Sequence, residues 1–386
     1  PGSKSITNRA LILAALRDTG QSGAAPELQL AGALFADDTW QMINALKDIG
    51  YEVRFEQRGS EASGGLPSIW ISGRPGGGRD IPRASADGRT IFCGNSGTTI
   101  RFLTAMLALA SPPALPTAGQ SAAGGYILDG TPRMRQRPIA QLVDQLRVLG
   151  ADVRYEGAEG YPPVWVLGGL RAGGCTFSDA ASSQYISALL MAGPYAAGEN
   201  VAPEGGDDGG ITVSLVGPVT SEPYVTMTLR MMEQFGARVE LHDQCAQQTS
   251  RIIRVHPGGY GRPDSVYPIE PDASNASYFW LAGALCAGSS ITVEGLGRGS
   301  LQGDVAVVDV LREMGAEVVH GNNAVTVSAP SGGGALRGVE RDMNAIPDMV
   351  QTIAVAALFA RGRTVMRNIW NLRVKETDRL AALEKE

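Results

Sequence analysis

The sequence has few of the residues that build metal centres, membrane spans or nucleic-acid surfaces. Its 386 residues include three histidines and four cysteines, with no CxxC pair and no two histidines at helical spacing. We therefore expect no zinc site, and the scattered cysteines are typical of free thiols in a reducing compartment. The apolar runs are shorter than the roughly 20 residues of a membrane span. The net charge of −6 argues against a nucleic-acid or membrane-surface binder.

What remains is the composition of an ordinary globular protein. Hydrophobic residues make up 44% of the chain and charged residues 19%. At this length we expect two domains rather than one. The sequence begins inside a motif and stops inside a charged helical pattern, so both ends are expected to be truncated. No targeting segment is visible, and we expect a cytoplasmic monomer, with a plastid as the alternative for a photosynthetic eukaryote.

Two helical patterns alternate along the chain. The first is an amphipathic helix, a glycine and a short strand, and its glycines are Gly50, Gly150, Gly236 and Gly315. Each glycine stands where a helix C-cap needs a left-handed backbone. The second is a very apolar helix after polar residues, at 8–16, 99–109, 184–192, 276–285 and 349–359. Alanine and leucine surround these helices, so we expect them to be buried on nearly every side. The copies predict two pseudo-threefold domains, one truncated, with surface insertions at 111–125 and 202–210.

Five segments combine small residues, hydroxyls and cations at the start of a buried helix. They are residues 2–9, 94–101, 130–138, 182–185 and 371–379. Backbone N–H groups are unsatisfied at a helix start and the helix dipole favours anions there. Each segment alone has a simpler interpretation, a helix cap or a solvated charge run. Five in equivalent places of repeated units predict a cleft that binds phosphates or carboxylates.

Two carboxylates are candidates for acid–base chemistry. Glu376 neighbours Lys375 and Arg379, which we predict at positions i and i+4 on one helical face. A surface salt-bridge network is the alternative there. Asp348 stands just before the apolar helix at 349–359, where N-capping is the simpler role. A carboxylate among cations stays ionised and can move a proton once a substrate binds.

Long motifs along essentially the whole chain are those of a known family. They read GSKS at 2–5 with NR at 8–9, GNSGT at 94–98, PRMRQRPI at 132–139, SSQ at 182–184 and RVKETDR at 373–379. DAS at 272–274 and QGD at 302–304 extend the match. With these motifs the sequence resembles the 5-enolpyruvylshikimate-3-phosphate synthase family.

The resemblance implies a fold and a reaction. The fold is α/β with two domains, each of three β-α-β-α-β-β units around an interdomain active site, the last unit being truncated here. Residues 3–269 would form the complete domain, and residues 1–2 with 270–386 the incomplete one. The reaction transfers the enolpyruvyl group of phosphoenolpyruvate to the 5-hydroxyl of shikimate 3-phosphate and releases phosphate through a tetrahedral intermediate. No metal or organic cofactor is implied, and the family is the target of glyphosate.

The resemblance also implies a role for each matching residue. Shikimate 3-phosphate would be bound by Lys4, Ser5, Arg9, Ser182, Ser183, Ser221, Tyr224, Asp348, Asn371 and Lys375. The three serines 182, 183 and 221 would hold its phosphate, and Arg9 and Tyr224 its carboxylate. Phosphoenolpyruvate would be bound by Lys4, Asn95, Gly97, Arg133, Gln184 and Arg379. The catalytic residues would be Asp348, Glu376, Lys375 and Lys4, with Asp348 taking the 5-hydroxyl proton and Glu376 or Lys375 protonating the methylene carbon.

The sequence departs from the family pattern in two places. Ser96, Thr99 and Phe102 stand where many relatives carry alanine or proline. The family's late His-Arg pair and late Lys fall beyond Glu386, so the chain alone is expected to be weakly active.

Three rival interpretations are open. UDP-N-acetylglucosamine enolpyruvyl transferases share the fold but carry a reactive cysteine in the loop that matches 130–138, which has none here. A non-catalytic phosphate- or nucleotide-binding module would keep the serines and arginines but would need neither Asp348 nor Glu376. The chain could also be one segment of a multifunctional polypeptide.

Overall fold

The computed structural model describes residues 1–20, 27–60, 64–82, 88–111, 124–196, 209–243, 250–261 and 265–386. These residues form a mixed α/β structure, which confirms the predicted fold class. Of the two predicted surface insertions, residues 112–123 and 202–208 lie outside the described residues, as does Cys245. Cys93, Cys175 and Cys286 are free thiols, as predicted.

Helices and short strands alternate along the chain. The helices are α1 Lys4–Ala15, α2 Asp37–Ile49, α3 Gly97–Leu107, α4 Ala140–Val148, α5 Ser183–Ala192, α6 Pro223–Gln234, α7 Ala273–Leu285, α8 Val307–Glu313, α9 Val350–Leu358 and α10 Arg379–Lys385. The strands are β1 Glu27–Ala31, β2 Val53–Glu56, β3 Ser68–Ser72, β4 Arg89–Phe92, β5 Tyr126–Asp129, β6 Asp152–Tyr155, β7 Val164–Gly168, β8 Gly173–Ser178, β9 Ile211–Val216, β10 Val239–Asp243, β11 Ser250–Val255, β12 Val266–Pro268, β13 Ser290–Glu294, β14 Glu317–His320, β15 Ala324–Ser328, β16 Glu340–Asp342 and β17 Val365–Arg367.

The chain divides into two compact units. The larger unit consists of residues 4–219 and 228–268, and the smaller unit of residues 1–3, 220–227 and 269–386. The first turn of α6 therefore belongs to the smaller unit and its remainder to the larger one. Ser221, just before α6, and Tyr224 therefore belong to the smaller unit.

The larger unit contains three four-stranded sheets with one common topology. Their strand orders are β12-β1-β3-β2, β4-β5-β7-β6 and β8-β9-β11-β10. In each sheet the first two strands are parallel and the other neighbours are antiparallel. The apolar helix α3 packs against both α1 and α5, and every side chain of α3 is buried. These three helices start with the first, second and fourth of the predicted anion-binding segments.

The smaller unit has a core around Trp280, which is fully buried on α7. An antiparallel sheet β13-β15-β14 and the parallel pair β16-β17 flank the helices. The expectation that all five apolar helices are buried on nearly every side is wrong here. Phe279 on α7 is 59% exposed and Leu358 on α9 is 82% exposed, because no described element covers those helix faces.

The predicted glycine C-caps are confirmed. Gly50, Gly150, Gly236 and Gly315 all have positive φ, between 84° and 112°. The N–H of Gly50 donates to the carbonyl oxygens of Leu46 and Lys47 at 3.1 and 3.0 Å. Only a residue without a side chain adopts this backbone at low cost, and it turns each helix into the next strand.

Candidate active site

The first predicted segment forms the start of α1. The Lys4 ammonium lies 3.1 Å from a carboxylate oxygen of Asp38, and its side chain is 38% exposed. Arg9 is only 1% exposed. Its guanidinium donates to Thr228 Oγ1 at 2.7 Å, to the Ser5 carbonyl at 3.0 Å and to Ser187 Oγ at 3.2 Å. Arg9 thus links α1 to α5 and α6 through hydroxyl and carbonyl oxygens.

The second segment forms the start of α3 and depends on the absence of a side chain at Gly97. Ser96 caps the helix, and its hydroxyl accepts from the Thr99 N–H at 3.2 Å. A Cβ at Gly97 would lie 2.7 Å from Arg137 Nη2 and 3.1 Å from Arg101 Nη1. The first distance is shorter than real Cβ contacts and the second is tight, so glycine allows two guanidinium groups to approach this backbone.

The three alternating arginines of the third segment have different surroundings. Arg135 is exposed and pairs with Asp129, which fits the solvated charge run. Arg133 is half-buried and its guanidinium donates to Gln136 Oε1 at 3.3 Å. Arg137 is 2% exposed and donates to the Asn95 carbonyl at 2.6 Å. The segment forms a turn and a short 3₁₀ helix, Met134–Gln136, before α4 begins.

The fourth segment opens α5 and meets the second one. Ser182 is the N-cap, and its hydroxyl accepts from the Gln184 N–H at 3.2 Å. The simpler prediction for this serine, a helix cap, is confirmed. Ser183 is 3% exposed. Gln184 Oε1 accepts a short hydrogen bond from Arg101 Nη1, which places Gln184 beside Gly97.

Arg101 and Arg137 belong to predicted anion-binding segments, but neither was assigned to a substrate from the sequence. Arg101 also donates to the Pro138 carbonyl at 3.0 Å and stacks on the Tyr185 ring, 4.9 Å from its centroid. Within the described residues its charge meets neutral oxygens only. The available signal was the spacing of four between Gly97 and Arg101, which places both on one face of α3.

The smaller unit joins Lys375, Glu376 and Arg379 of the fifth segment with Asp348. Arg379 donates to Asp348 Oδ1 at 2.6 Å and to Glu376 Oε2 at 2.8 Å. Lys375 Nζ lies 3.5 Å from the same Asp348 oxygen. Burial lowers the pKa of Arg379, but the charges of Asp348 and Glu376 outweigh it and raise that pKa overall. The two candidate acid–base carboxylates are therefore joined through one guanidinium.

The helical geometry predicted for this segment is wrong, although the grouping is right. Residues 370–374 form a 3₁₀ helix, and Lys375 after it is extended. The helix α10 starts only at Arg379, because Asp378 caps it by accepting from the Ala381 N–H at 3.1 Å. Lys375 and Arg379 reach Asp348 from either side of this cap. Asp348 lies in the 3₁₀ helix Pro347–Met349. The N-cap of α9 is Met349, not Asp348, so the simpler capping role of Asp348 is wrong.

The remaining predicted residues lie in the same unit. Ser221 is 6% exposed and has a left-handed backbone with φ 58°, a strained state for a residue with a side chain. Asn371 is 2% exposed, and its Oδ1 has no hydrogen-bond partner in the described part of the chain. The Tyr224 hydroxyl donates to Asp304 Oδ2 at 2.8 Å. Sequence reasoning assigned no role to Asp304.

Two further findings concern possible partners. No helix among the described residues is long and apolar enough to cross a membrane. The same residues contain no group of three or more His, Cys, Asp or Glu side chains that could hold a metal ion.

Two solved structures show which fold this chain has. An EPSP synthase from Acinetobacter baumannii matches all of this chain and 76% of its own, with a TM-score of 0.68 at 22% identity. The enolpyruvyl transferase NikO from Streptomyces tendae matches 95% of this chain and 73% of its own, with a TM-score of 0.62 at 17% identity. The fold is that of the enolpyruvyl transferases.

Sequence comparison identifies the family within that class. The chain belongs to the EPSP synthase (3-phosphoshikimate 1-carboxyvinyltransferase) family, whose model matches residues 1–386. It is 42% identical to the 3-phosphoshikimate 1-carboxyvinyltransferase of Edwardsiella ictaluri over 387 residues, covering all of this chain and 78% of that protein. The enzyme of the same name from Sulfurovum sp. is 39% identical with the same coverage. The resemblance seen in the motifs is thereby confirmed.

Proposed function

We propose that this protein transfers the enolpyruvyl group of phosphoenolpyruvate to the 5-hydroxyl of shikimate 3-phosphate. The observation that carries the proposal is the cluster of Asp348, Glu376, Lys375 and Arg379, in a chain of the EPSP synthase family. The cluster contains two carboxylates that could transfer protons. Asp348 contacts both Lys375 and Arg379, and Glu376 contacts Arg379. The same chain offers buried guanidinium groups beside helix starts for anion binding.

The larger unit would hold the anionic groups. The hydroxyls of Ser182 and Ser183 at the start of α5 suit the shikimate phosphate, since unsatisfied N–H groups and the helix dipole favour negative charge there. Gly97, Gln184 and Arg133 suit phosphoenolpyruvate. Arg101 and Arg137 flank Gly97, and we add both to the residues that favour this anion. Fixed cations reduce the repulsion between two polyanionic substrates.

Three more predicted residues of the larger unit have supporting contacts. Lys4 is half exposed at the start of α1 and would exchange Asp38 for a substrate anion. Asn95 offers its side chain beside the carbonyl that holds Arg137. Arg9 and Ser5 are joined by a hydrogen bond, so a carboxylate held by Arg9 would also lie near Ser5.

The smaller unit would carry out the proton transfers. Asp348 accepts the 5-hydroxyl proton as that oxygen attacks C2 of phosphoenolpyruvate. Glu376 or Lys375 gives a proton to the methylene carbon, which completes the tetrahedral intermediate. Removal of a proton from the new methyl group then expels phosphate and restores the double bond. Asn371 and Lys375 would orient the shikimate ring hydroxyls, with Ser221 at its phosphate and Tyr224 at its carboxylate.

Arg379 has a double function in this scheme. It is tied to both acid–base carboxylates in the described structure and is also a predicted phosphoenolpyruvate ligand. Binding of the phosphate would draw the guanidinium toward the substrate. That movement would loosen its hold on Asp348 and Glu376 and raise their proton affinity.

Phosphate release is the decisive measurement. The chain is incubated with shikimate 3-phosphate and phosphoenolpyruvate, each alone and both together, and phosphate and enolpyruvyl ether are quantified in single-turnover and steady-state mode. We expect both products only with the two substrates together. Formation of product when UDP-N-acetylglucosamine replaces shikimate 3-phosphate would favour a UDP-N-acetylglucosamine enolpyruvyl transferase. Binding of shikimate 3-phosphate without any product in either mode would favour a non-catalytic binding module and contradict the proposal.

A further inference from the structure

Asp304 is a buried carboxyl group in the smaller unit with an unusual set of neighbours. It is 3% exposed and lies in the 3₁₀ helix Gly303–Ala306. Its Oδ2 accepts from the Tyr224 hydroxyl and from the Ser274 hydroxyl, both at 2.8 Å. Its Oδ1 is also buried and has no hydrogen-bond partner within the described residues. Such an oxygen is costly to leave as part of a charged group.

The motif Gln302-Gly303-Asp304 fixes this position. Gln302 is 6% exposed, accepts from the Ala273 N–H at 3.0 Å and donates to the Pro271 carbonyl at 2.7 Å. A Cβ at Gly303 would lie 2.3 Å from Pro223 Cβ, so only glycine allows this contact. Gln302 therefore binds the chain to the start of α7, and Gly303 packs it against the start of α6. Asp304 is left between Tyr224 on one helix and Ser274 on the other.

The charged groups that face Asp304 are acidic. Burial, then the charge of Asp348, and less strongly that of Asp272 raise its pKa to about 7, against the hydrogen bonds from Ser274 and Tyr224. Lys375 and Arg379 lie at 3.5 and 2.6 Å from Asp348. Two carboxyls of one unit thus have opposite surroundings: Asp348 contacts two cations, whereas Asp304 is buried near acidic groups and is neutral below about pH 7.

We propose that Asp304 is a positioning residue that holds the Tyr224 phenol for the substrate carboxylate and does so only while it is protonated. This inference rests on the proposed function, in which Tyr224 contacts the carboxylate of shikimate 3-phosphate. A neutral Asp304 can donate its own proton to the phenolic oxygen, which leaves the phenolic proton of Tyr224 for the substrate carboxylate. An ionised Asp304 accepts the phenolic proton itself, so Tyr224 no longer donates to the substrate carboxylate and binding of this one substrate weakens.

The test compares the pH dependence of two Michaelis constants. The KM values for shikimate 3-phosphate and phosphoenolpyruvate are measured from about pH 6 to pH 9 for the unmodified protein and for Asp304→Asn. We expect the KM for shikimate 3-phosphate to rise about tenfold above pH 7 in the unmodified protein, an effect of about 1.4 kcal/mol. In Asp304→Asn this rise should vanish, because the side-chain NH2 can donate to the phenolic oxygen of Tyr224 as a protonated carboxyl does, but the amide does not ionise. The KM for phosphoenolpyruvate should follow the same curve in both proteins.

The control is Glu313→Gln, which neutralises an exposed carboxylate of the same unit that pairs with Arg341. In this variant the KM for shikimate 3-phosphate should still rise above pH 7. Calorimetric titration with shikimate 3-phosphate alone repeats the comparison without turnover. An unmodified protein that neither binds this ligand nor releases phosphate would overturn the proposed function itself. Suppose instead that the unmodified protein binds this ligand and releases phosphate, but that the pH dependence of its KM for shikimate 3-phosphate matches that of Asp304→Asn. That result would overturn only the role of Asp304.

A readout without substrate tests the protonation directly. Folding raises the pKa of Asp304 from 3.8 to about 7, so the protonated carboxyl stabilises the fold below pH 3.8. This stabilisation is lost as the pH rises to about 7. Urea unfolding of Asp304→Asn should lack that loss. If this variant does not fold, Tyr224→Phe serves instead: it should raise the KM for shikimate 3-phosphate at pH 6.5 and flatten its rise above pH 7. An unchanged rise in Tyr224→Phe overturns the inference.

Discussion

Arg101 in the larger unit and Arg379 in the smaller unit have partners of opposite kinds. In the larger unit, Arg101 is buried and its charge meets the amide oxygen of Gln184 and the carbonyl of Pro138 within the described residues. In the smaller unit, Arg379 is held between the carboxylates of Asp348 and Glu376. A guanidinium that meets only neutral oxygens keeps its attraction for an added anion. One that is already paired instead controls the proton affinity of its partners.

The helix starts show the same contrast. The helices α3 and α5 of the larger unit are capped by the hydroxyls of Ser96 and Ser182. The helices α7 and α10 of the smaller unit are capped by the carboxylates of Asp272 and Asp378. Both residue types satisfy backbone N–H groups equally well, but a carboxylate fills the anion site that a hydroxyl leaves available. The larger unit therefore suits phosphate binding, and the smaller unit suits proton transfer.

The largest expected effect comes from the paired carboxylates. Asp348→Asn removes the group that accepts the 5-hydroxyl proton but leaves an oxygen that Arg379 can contact. We expect turnover to fall about 10²–10⁴-fold, the usual contribution of a general base, with little change in either Kd. Single-turnover phosphate release and calorimetric titration measure the two quantities. A parallel loss of substrate binding would show that Asp348 holds the substrate rather than moves a proton, and the contrast between the units would then fail.

A smaller effect is expected from exchanging one type of cap for the other. Ser182→Asp keeps a good N-cap at α5 but adds a negative charge where the shikimate phosphate is proposed to bind. We expect the Kd for shikimate 3-phosphate to rise about 10–100-fold, or 1.4–2.7 kcal/mol, with an unchanged urea midpoint. The reverse exchange, Asp378→Ser at α10, is the matched control and should leave this Kd unaltered. Equal affinities in Ser182→Asp and the unmodified protein would show that α5 binds no phosphate.

The sequence was sufficient for the grouping of charges but not for their geometry. Glycine and polar residues at helix ends are local signals, and they located the C-caps at Gly50 and Gly150 and the starts of α3 and α5. Lys375 and Arg379 were predicted on one face of a continuous helix, whereas Asp378 caps a helix that begins only at Arg379. Local propensity favours helix on both sides of that cap, so the break is visible only once tertiary contacts fix Arg379 on Asp348.

Burial was the second property that the sequence could not supply. The arginines at 133, 135 and 137 look equivalent in the chain, yet Arg135 is exposed and Arg137 is 2% exposed. The difference arises from the Asn95 carbonyl, 42 positions earlier in the sequence, which accepts from Arg137. Asp304 was missed for a similar reason, since the hydroxyls that hold it are 80 and 30 positions distant. Long-range packing, not composition, makes these groups functional.

The smallest expected effect tests whether the Gly97 contact serves anion binding alone. In Gly97→Ala the new Cβ would stand 2.7 Å from Arg137 Nη2, so the guanidinium must move, and its bond to Asn95 moves with it. We expect the KM for phosphoenolpyruvate to rise about tenfold, near 1.4 kcal/mol, while turnover at saturating substrate stays close to normal because the proton-transfer groups lie in the other unit. The control is Gly157→Ala, where the nearest atom to a new Cβ is Pro163 Cδ at an ordinary 3.6 Å. Steady-state kinetics with each substrate varied in turn decides the matter. A fall in saturated turnover with an unchanged KM would mean that the larger unit also shapes the chemical step, and the division between anion binding and proton transfer would have to be abandoned.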